Sequence, residues 1–167
     1  CDDLGILVWQ DFPFACAIYP IHSDFIEDIK IEFIENIIRL RNHPSLALWC
    51  GNNEIEYLWN WLKTSAGIEQ KETENEYKKG YIKIFEKLLP EILKELDPDR
   101  PFWPSSPSNG FCNMDIGSIN SNSPKKGDSH YWSVWHGGKP FKAYKRFNSR
   151  FISEFGFESF PCLKTIS

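Results

Sequence analysis

Apolar residues fall along this chain in two alternating rhythms, short unbroken runs and longer stretches spaced three and four apart. The first run, Ile6-Leu7-Val8-Trp9 within GILVWQDF, reads as a strand buried on both faces, the mark of a parallel sheet. In DFIEDIKIEFIENIIRLR the residues Ile26, Ile29, Phe33, Ile37 and Leu40 recur at helical spacing. Asp24 with Glu27 predicts a capping box, Arg39 and Arg41 suit the negative end of the dipole, and Pro44 stops the helix. LALWC, residues 46–50, is the next buried strand, so the order strand, helix, strand implies a right-handed crossover.

The alternation continues. The chain is amphipathic again through Trp59, Trp61 and Leu62, then turns polar in TSAGIEQKETENEYKKG, which reads as an exposed insertion or loop. YIKIFEKLLPEILKELDPDRP is helical by pattern, with Pro90 predicting a kink or two abutting helices, the second starting near the proline. RPFWPSSP reads as a third strand, SHYWSVW as a short fourth and RFISEFG as a fifth. KPFKAYKRF is a short helix, and 109–126 a Ser/Asn/Gly/Pro-rich loop.

Repeated β/α units of this kind make an α/β protein, either a doubly wound open sheet or a (β/α)8 TIM barrel. No glycine-rich phosphate loop follows any of the strands, which weighs against nucleotide binding. Polar residues cluster just past the strand ends instead: Gln10 and Asp11, Asn53 and Glu54, Ser105 and Ser106, His130 and Tyr131, and Glu154. Barrels carry their catalytic groups at that face.

Composition narrows the picture. With 167 residues the chain has room for one domain, and its formal net charge of -4 argues against charge-driven nucleic-acid binding. The apolar runs are too short to span a bilayer, so neither nucleic acid nor membrane is an expected partner. Five scattered cysteines form no CxxC pair and no zinc spacing, so they read as reduced thiols, and no metal or other cofactor is expected. Aromatic residues make up 16%, including seven Trp, and could form platforms for sugar rings, although aromatics alone favour a core.

Glu54 and Glu154 stand on strand ends far apart in sequence. Paired carboxylates across a pocket are what glycoside hydrolysis requires, one to protonate the leaving oxygen and one to attack the anomeric carbon or activate water. Spacing alone is suggestive rather than specific, because an isolated glutamate at a strand end is ordinarily a solvated cap.

The segments CDDLGILVWQDFPFACAIYP, RNHPSLALWCGNNE, DPDRPFWPSSP, GDSHYWSVWHG and SRFISEFGFESFP together resemble the catalytic domain of β-mannosidases of glycoside hydrolase family 2, in the family's order and over nearly the whole chain. The resemblance implies an incomplete TIM barrel, running from about strand 3 to strand 7, within a longer parent that has sandwich domains before the barrel. It implies a retaining exo-β-mannosidase parent, acting on an oligosaccharide or mannoside, and a segment that is inactive or nearly so alone. Missing parts of a parent chain, or a second copy of this one, are the expected protein partners. A β-galactosidase or β-glucuronidase type of activity, and a non-catalytic carbohydrate-binding fragment, are the alternatives. Glu54 takes the place of the general acid/base, Glu154 that of the nucleophile, and Asn53 is expected at the sugar 2-hydroxyl. Tyr131, beside His130, is expected to donate a hydrogen bond to the nucleophile, with a core tyrosine as the alternative. Trp9 and Asp11 are expected to line the glycone pocket, Asp11 having a buried ion pair with Arg41 or Arg150 as its alternative. Trp132 and Trp135 are candidate sugar platforms or core, and Trp59 or Trp61 candidate walls beyond Glu54. The double displacement needs Glu54 protonated and Glu154 ionised, with Glu154's charge and apolar walls expected to raise the pKa of Glu54.

Overall fold

The computed structural model describes residues 1–59, 71–112, 120–159 and 161–166. Strand β1 (Val8–Asp11), helix α1 (Ser23–Leu40) and strand β2 (Leu46–Cys50) come first. Helices α2 (Lys71–Tyr81) and α3 (Leu89–Leu96) follow, then β3 (Phe102–Trp103), β4 (Ser129–Tyr131), β5 (Ile152–Phe155) and the short α4 (Leu163–Ile166). Strands β1, β2 and β3 form one parallel sheet with β2 in the middle, and β4 pairs in parallel with β5. All five lie where the apolar runs placed them, although β4 stops at Tyr131 and the chain turns through the rest of SHYWSVW.

The core packs α1, α2 and α3 against β2. Phe33, Ile37, Trp49, Trp59 and Leu89 are fully excluded from solvent. Phe33 meets Phe12 edge to face at 5.1 Å, and Phe12 stacks on Trp49 at 5.2 Å. Side chains of this size each contribute roughly 1.5–3 kcal/mol on burial. Burial differs between the strands, however: β2 and β4 are well buried and β1 is not. Every residue of β1 is half-exposed, and Ile6 and Leu7 before it are exposed. The expectation that this run is buried on both faces is therefore corrected: β1 is an edge strand, and an unbroken apolar run cannot tell an edge from a centre.

Two helix expectations change as well. The cap of α1 is His22, whose Nδ1 accepts the Phe25 N–H at 3.2 Å, rather than Asp24 in a capping box with Glu27. The polar run is not a loop over its second half: residues 71–81 are the helix α2, held by the buried Tyr77 and Tyr81, while residues 64–70 lie outside the described residues. Tyr77 stacks on Trp59 at 4.6 Å and donates its hydroxyl to the Ile55 carbonyl. Pro90 does start a second helix, as its position predicts. The chain reaches it through a π-helical stretch, Ile82–Leu88, whose closing bond runs from the Leu89 N–H to the Ile84 carbonyl. Wider turns here accommodate a proline that lacks an N–H and crowds the preceding turn.

Among the described residues no helix is long and apolar enough to cross a membrane. The five cysteines are free thiols, Cys50 and Cys112 buried and the others exposed.

Candidate active site

Because β1, β2 and β3 are parallel to one another, their C-terminal ends lie on one side, and the pairing continues past them through isolated bridges, Ala15 to Asn53 and Asn53 to Ser106. Gly51 makes that close approach feasible, since a Cβ there would meet the Pro104 carbonyl oxygen at 2.3 Å. Buried Asn52 then turns the chain. Its amide donates to the Pro104 carbonyl at 2.9 Å, and its Oδ1 accepts from Ser105 Oγ and from the Ile55 N–H, capping the helical turn at 55–59. Glu54, between them, is held at a φ of 59°, a conformation rarely adopted by residues with side chains and one that clusters at functional sites.

The central side chain is His130, from β4. Its backbone is clamped by Asn122, whose Oδ1 accepts the His130 N–H at 2.9 Å and whose Nδ2 donates to the His130 carbonyl at 3.0 Å. The imidazole is 1% exposed, and its Nδ1 lies 2.7 Å from Glu54 Oε1 and 3.2 Å from Glu154 Oε2. Trp132 Nε1 donates to that same Glu154 oxygen at 3.3 Å. Glu154 opens into a cavity of about 320 Å³ that Trp9 and Asp11 also line, and Glu54 into one of about 340 Å³ lined by Tyr57, Trp132 and His136.

The remaining sequence candidates divide. Trp9 donates its indole N–H to Asp11 Oδ1 at 2.7 Å and stacks on Phe151 at 5.7 Å, so the two form one wall, and Asp11 is bound to this indole rather than to an arginine. Burial raises the pKa of Asp11. The Asn53 Oδ1 is buried without a partner among the described residues, and its Nδ2 reaches only Cys16 Sγ, at 3.8 Å. Tyr131, expected to donate to Glu154, instead stacks on Phe147 at 4.1 Å; the indole N–H that donates to Glu154 belongs to its neighbour Trp132, and the ring nitrogen beside that carboxylate to its neighbour His130. Tyr131 and Glu154 are not paired across the two strands, since Tyr131 sits opposite Phe155 and His130 opposite Glu154. Trp135 packs edge to face on Phe157 at 4.6 Å, outside the lining of both cavities. Trp59 is core rather than pocket wall, and Trp61 lies outside the described residues.

Sequence reasoning gives no role to three contributors, and marks only Ser106 among them, as a polar residue past a strand end. Cys16, itself at a φ of 46°, places Sγ 3.6 Å from Glu54 Oε2. Ser106 and Asp128 stand behind His130: Ser106 Oγ is 2.9 Å from Nε2 and donates to Asp128 Oδ2 at 2.6 Å. The available signal was the run Asp-Ser-His at 128–130, three polar residues in succession at the start of a strand.

The electrostatics run against the expected polarity. The Glu54 carboxyl lies below its ordinary pKa, chiefly because of the His130 hydrogen bond. The Glu154 carboxyl lies above it, because burial outweighs the attraction of His130. The reason is geometric: Nδ1 sits closer to Glu54 than to Glu154. A cation could be offered Nδ1 and one oxygen of each glutamate, three atoms within 4.8 Å of one another, but at these lengths they are hydrogen-bonded among themselves.

No protein-family model matches the chain. It is 40% identical over 170 residues to β-mannosidase B of Aspergillus fumigatus, and 39% identical over 169 to β-mannosidase B of Thermothelomyces thermophilus, covering 99% of this chain and 19% of each relative. A crystal structure of β-D-mannosidase from Dictyoglomus thermophilum superimposes with a TM-score of 0.80 at 42% identity, covering 99% of this chain and 18% of that one. The chain thus spans about a fifth of the length of the curated relatives it matches. Over nearly all of that span, the resemblance to β-mannosidases holds in both sequence and fold.

Proposed function

We propose that this chain is part of the (β/α)8 catalytic barrel of a retaining exo-β-mannosidase of glycoside hydrolase family 2, with Glu154 as nucleophile and Glu54 as general acid/base. The observation that carries the reading is the distance between the glutamates. One oxygen of each lies within 4.8 Å of the other, although they are a hundred positions apart in sequence, 54 against 154. Retaining glycosidases hold their carboxyl groups about 5–5.5 Å apart, whereas inverting enzymes need about 6.5–9.5 Å to admit a water. The names of the relatives support mannose as the sugar.

In the first step Glu154 forms a bond to the anomeric carbon as the glycosidic bond breaks, and the proton from Glu54 passes to the leaving oxygen. Glu54, now a carboxylate, then takes a proton from water as the water oxygen displaces Glu154. Trp132 Nε1, donating to Glu154, steadies the carboxylate that attacks. The depressed pKa of Glu54 fits a proton that it shares with His130. At 2.7 Å, a carboxylate facing an imidazolium and a carboxylic acid facing a neutral ring differ only in where one proton lies.

The test is hydrolysis of an aryl β-mannoside by a polypeptide of the relatives' length that carries this sequence. Glu154→Ala should abolish turnover. Glu54→Ala should lower it about 10²–10⁴-fold and respond to azide, which can resolve the intermediate without a general base. Full activity in Glu154→Ala, or an inverted anomeric product, would end the assignment.

A further inference from the structure

The hydrogen-bond arithmetic around Asp128 determines which nitrogen of His130 carries a proton. Asp128 is 2% exposed and accepts four bonds. Trp103 Nε1 and the Ser108 N–H reach Oδ1 at 3.0 and 2.9 Å, and Ser106 Oγ and Ser153 Oγ reach Oδ2 at 2.6 and 2.5 Å. Ser106 has a single hydroxyl hydrogen. An oxygen 2.6 Å from a carboxylate oxygen with no hydrogen between them would be repelled, so that hydrogen lies on the Asp128 side. The side of Ser106 Oγ facing His130 Nε2, 2.9 Å away, is then a lone pair, and the ring must donate to it. The neutral ring consequently has its hydrogen on Nε2, with Nδ1 bare and turned toward both glutamates.

We propose that Ser106 and Asp128 are positioning residues that fix His130 in the Nε2–H form, so that Nδ1 is the one site where the mobile proton of the Glu54–His130–Glu154 group can rest on the ring. The proposal rests on the glutamate pair being the reacting pair, as argued above. With the opposite tautomer, Nδ1 would hold its own hydrogen permanently and could not receive a proton from Glu54. In the proposed form a proton passes between Glu54 Oε1 and Nδ1 with no change in the group's total charge. Glu54 is then an acid when the leaving oxygen needs one and a carboxylate when water does. Neither Ser106 nor Asp128 has to touch the sugar for this.

The direct reading is the nitrogen spectrum of histidine-labelled chain, whose four histidines give few enough signals to assign by substitution. Recorded as pH is raised until the ring is neutral, the expected result is a protonated Nε2 and an unprotonated Nδ1 at His130. Asp128→Asn should reverse the two. Its Oδ1 keeps the Trp103 and Ser108 bonds, while its amide NH₂ donates where Oδ2 accepted, which turns the Ser106 hydrogen toward Nε2. In the full-length polypeptide the same variant should lower kcat about 10²-fold with KM nearly unchanged, the size of loss expected when a reacting group is held wrongly. If Asp128→Asn does not fold, Ser106→Ala and Ser106→Thr replace it. Alanine should release the tautomer and threonine, which keeps the hydroxyl, should restore Nε2–H. A wild-type ring with its hydrogen on Nδ1, or a loss of kcat with the tautomer unmoved, overturns the proposal. A reversed tautomer with hydrolysis intact likewise overturns it, since the relay would then not be needed, whereas the glutamate pair itself fails only if Glu154→Ala stays active.

Discussion

The molecule has two parts that are held together by opposite means. Every member of the hydrophobic core lies between Phe12 and Cys112, in the sheet β1–β3 and the helices that cover it. The pair β4–β5 contributes nothing to that core, and Phe151, Phe155 and Phe157 around it are exposed. What ties β4–β5 to the rest is mainly polar: the three bonds to Asp128 from Trp103, Ser106 and Ser108, the Ser106–His130 contact and the hydrogen bond between His130 and Glu54, with the stack of Trp9 on Phe151 as the apolar exception. Gly127 permits this junction, because a Cβ there would meet the Ser108 carbonyl oxygen at 1.7 Å. The apolar part gives rigidity, and the polar part gives direction, since hydrogen bonds fix angles that dispersion does not. The two glutamates sit on opposite sides of the seam, so their spacing is set by polar contacts.

The largest blow to this division falls on the apolar part. Phe33→Ala removes a fully buried ring that meets Phe12 and Phe14, and should cost about 3–5 kcal/mol. Urea denaturation followed by tryptophan fluorescence and by hydrogen exchange should show both parts failing together, because two paired strands with the small aromatic group of Tyr131, Tyr144 and Phe147 are too little to fold alone. Exchange protection surviving in β4–β5 alone would refute the dependence.

Asp128→Ala should cut at the seam instead. It strands the Trp103 indole N–H and the Ser108 N–H, at about 1–3 kcal/mol each. Amides of β4 and β5 should exchange faster while those of β2 stay protected, a sub-global opening rather than unfolding. Equal acceleration in both parts would show that the chain has one cooperative unit and no seam.

Glu56 tests the boundary by pH. This residue is 2% exposed, and burial pushes its carboxyl from an ordinary 4.5 up to about 7, against the bonds from Ser108 and Tyr81. The folded chain therefore holds this proton more tightly than the unfolded one. The stabilisation is complete below pH 4.5, falls as pH rises from 4.5 to 7, and is flat above that, a loss of about 3 kcal/mol. Glu56→Gln should flatten that part of the stability curve. Identical slopes in the two proteins would mean that another group carries the titration.

How much of this was legible beforehand follows the same division. The strands could be read because buried β-structure writes itself as unbroken apolar runs, and LALWC is the clearest case. Glu54 and Glu154 could be picked out because they follow such runs and stand in motifs that resemble those of the mannosidases. Ser106, Asp128 and Cys16 could not, because serine, aspartate and cysteine near turns look alike whether they are solvated or, like Ser106 and Asp128, buried in a network. Tyr131 was chosen over Trp132 for the same reason: side-chain direction at the end of a three-residue strand depends on the turn that follows, which no periodicity records.

Helix α2 gives the smallest and sharpest test. Its sequence, KETENEYKKGY, is so polar that the pattern reads as a loop, yet Tyr77 and Tyr81 reach the core four positions apart. If those two rings carry the helix, its surface charges should matter little. Lys78→Ala removes the ion pair with Glu74, one helical turn away at 2.9 Å, and should cost only about 0.3–0.5 kcal/mol, a difference that disappears in high salt. Tyr77→Ala, by contrast, removes the stack on Trp59 and the bond to Ile55, next to the turn that begins at Glu54, and should disturb the site as well as the helix. A Lys78→Ala cost as large as that of Tyr77→Ala would mean that α2 is held by its exposed face, and that the polar run specifies its helix through charge pairing rather than through two buried rings.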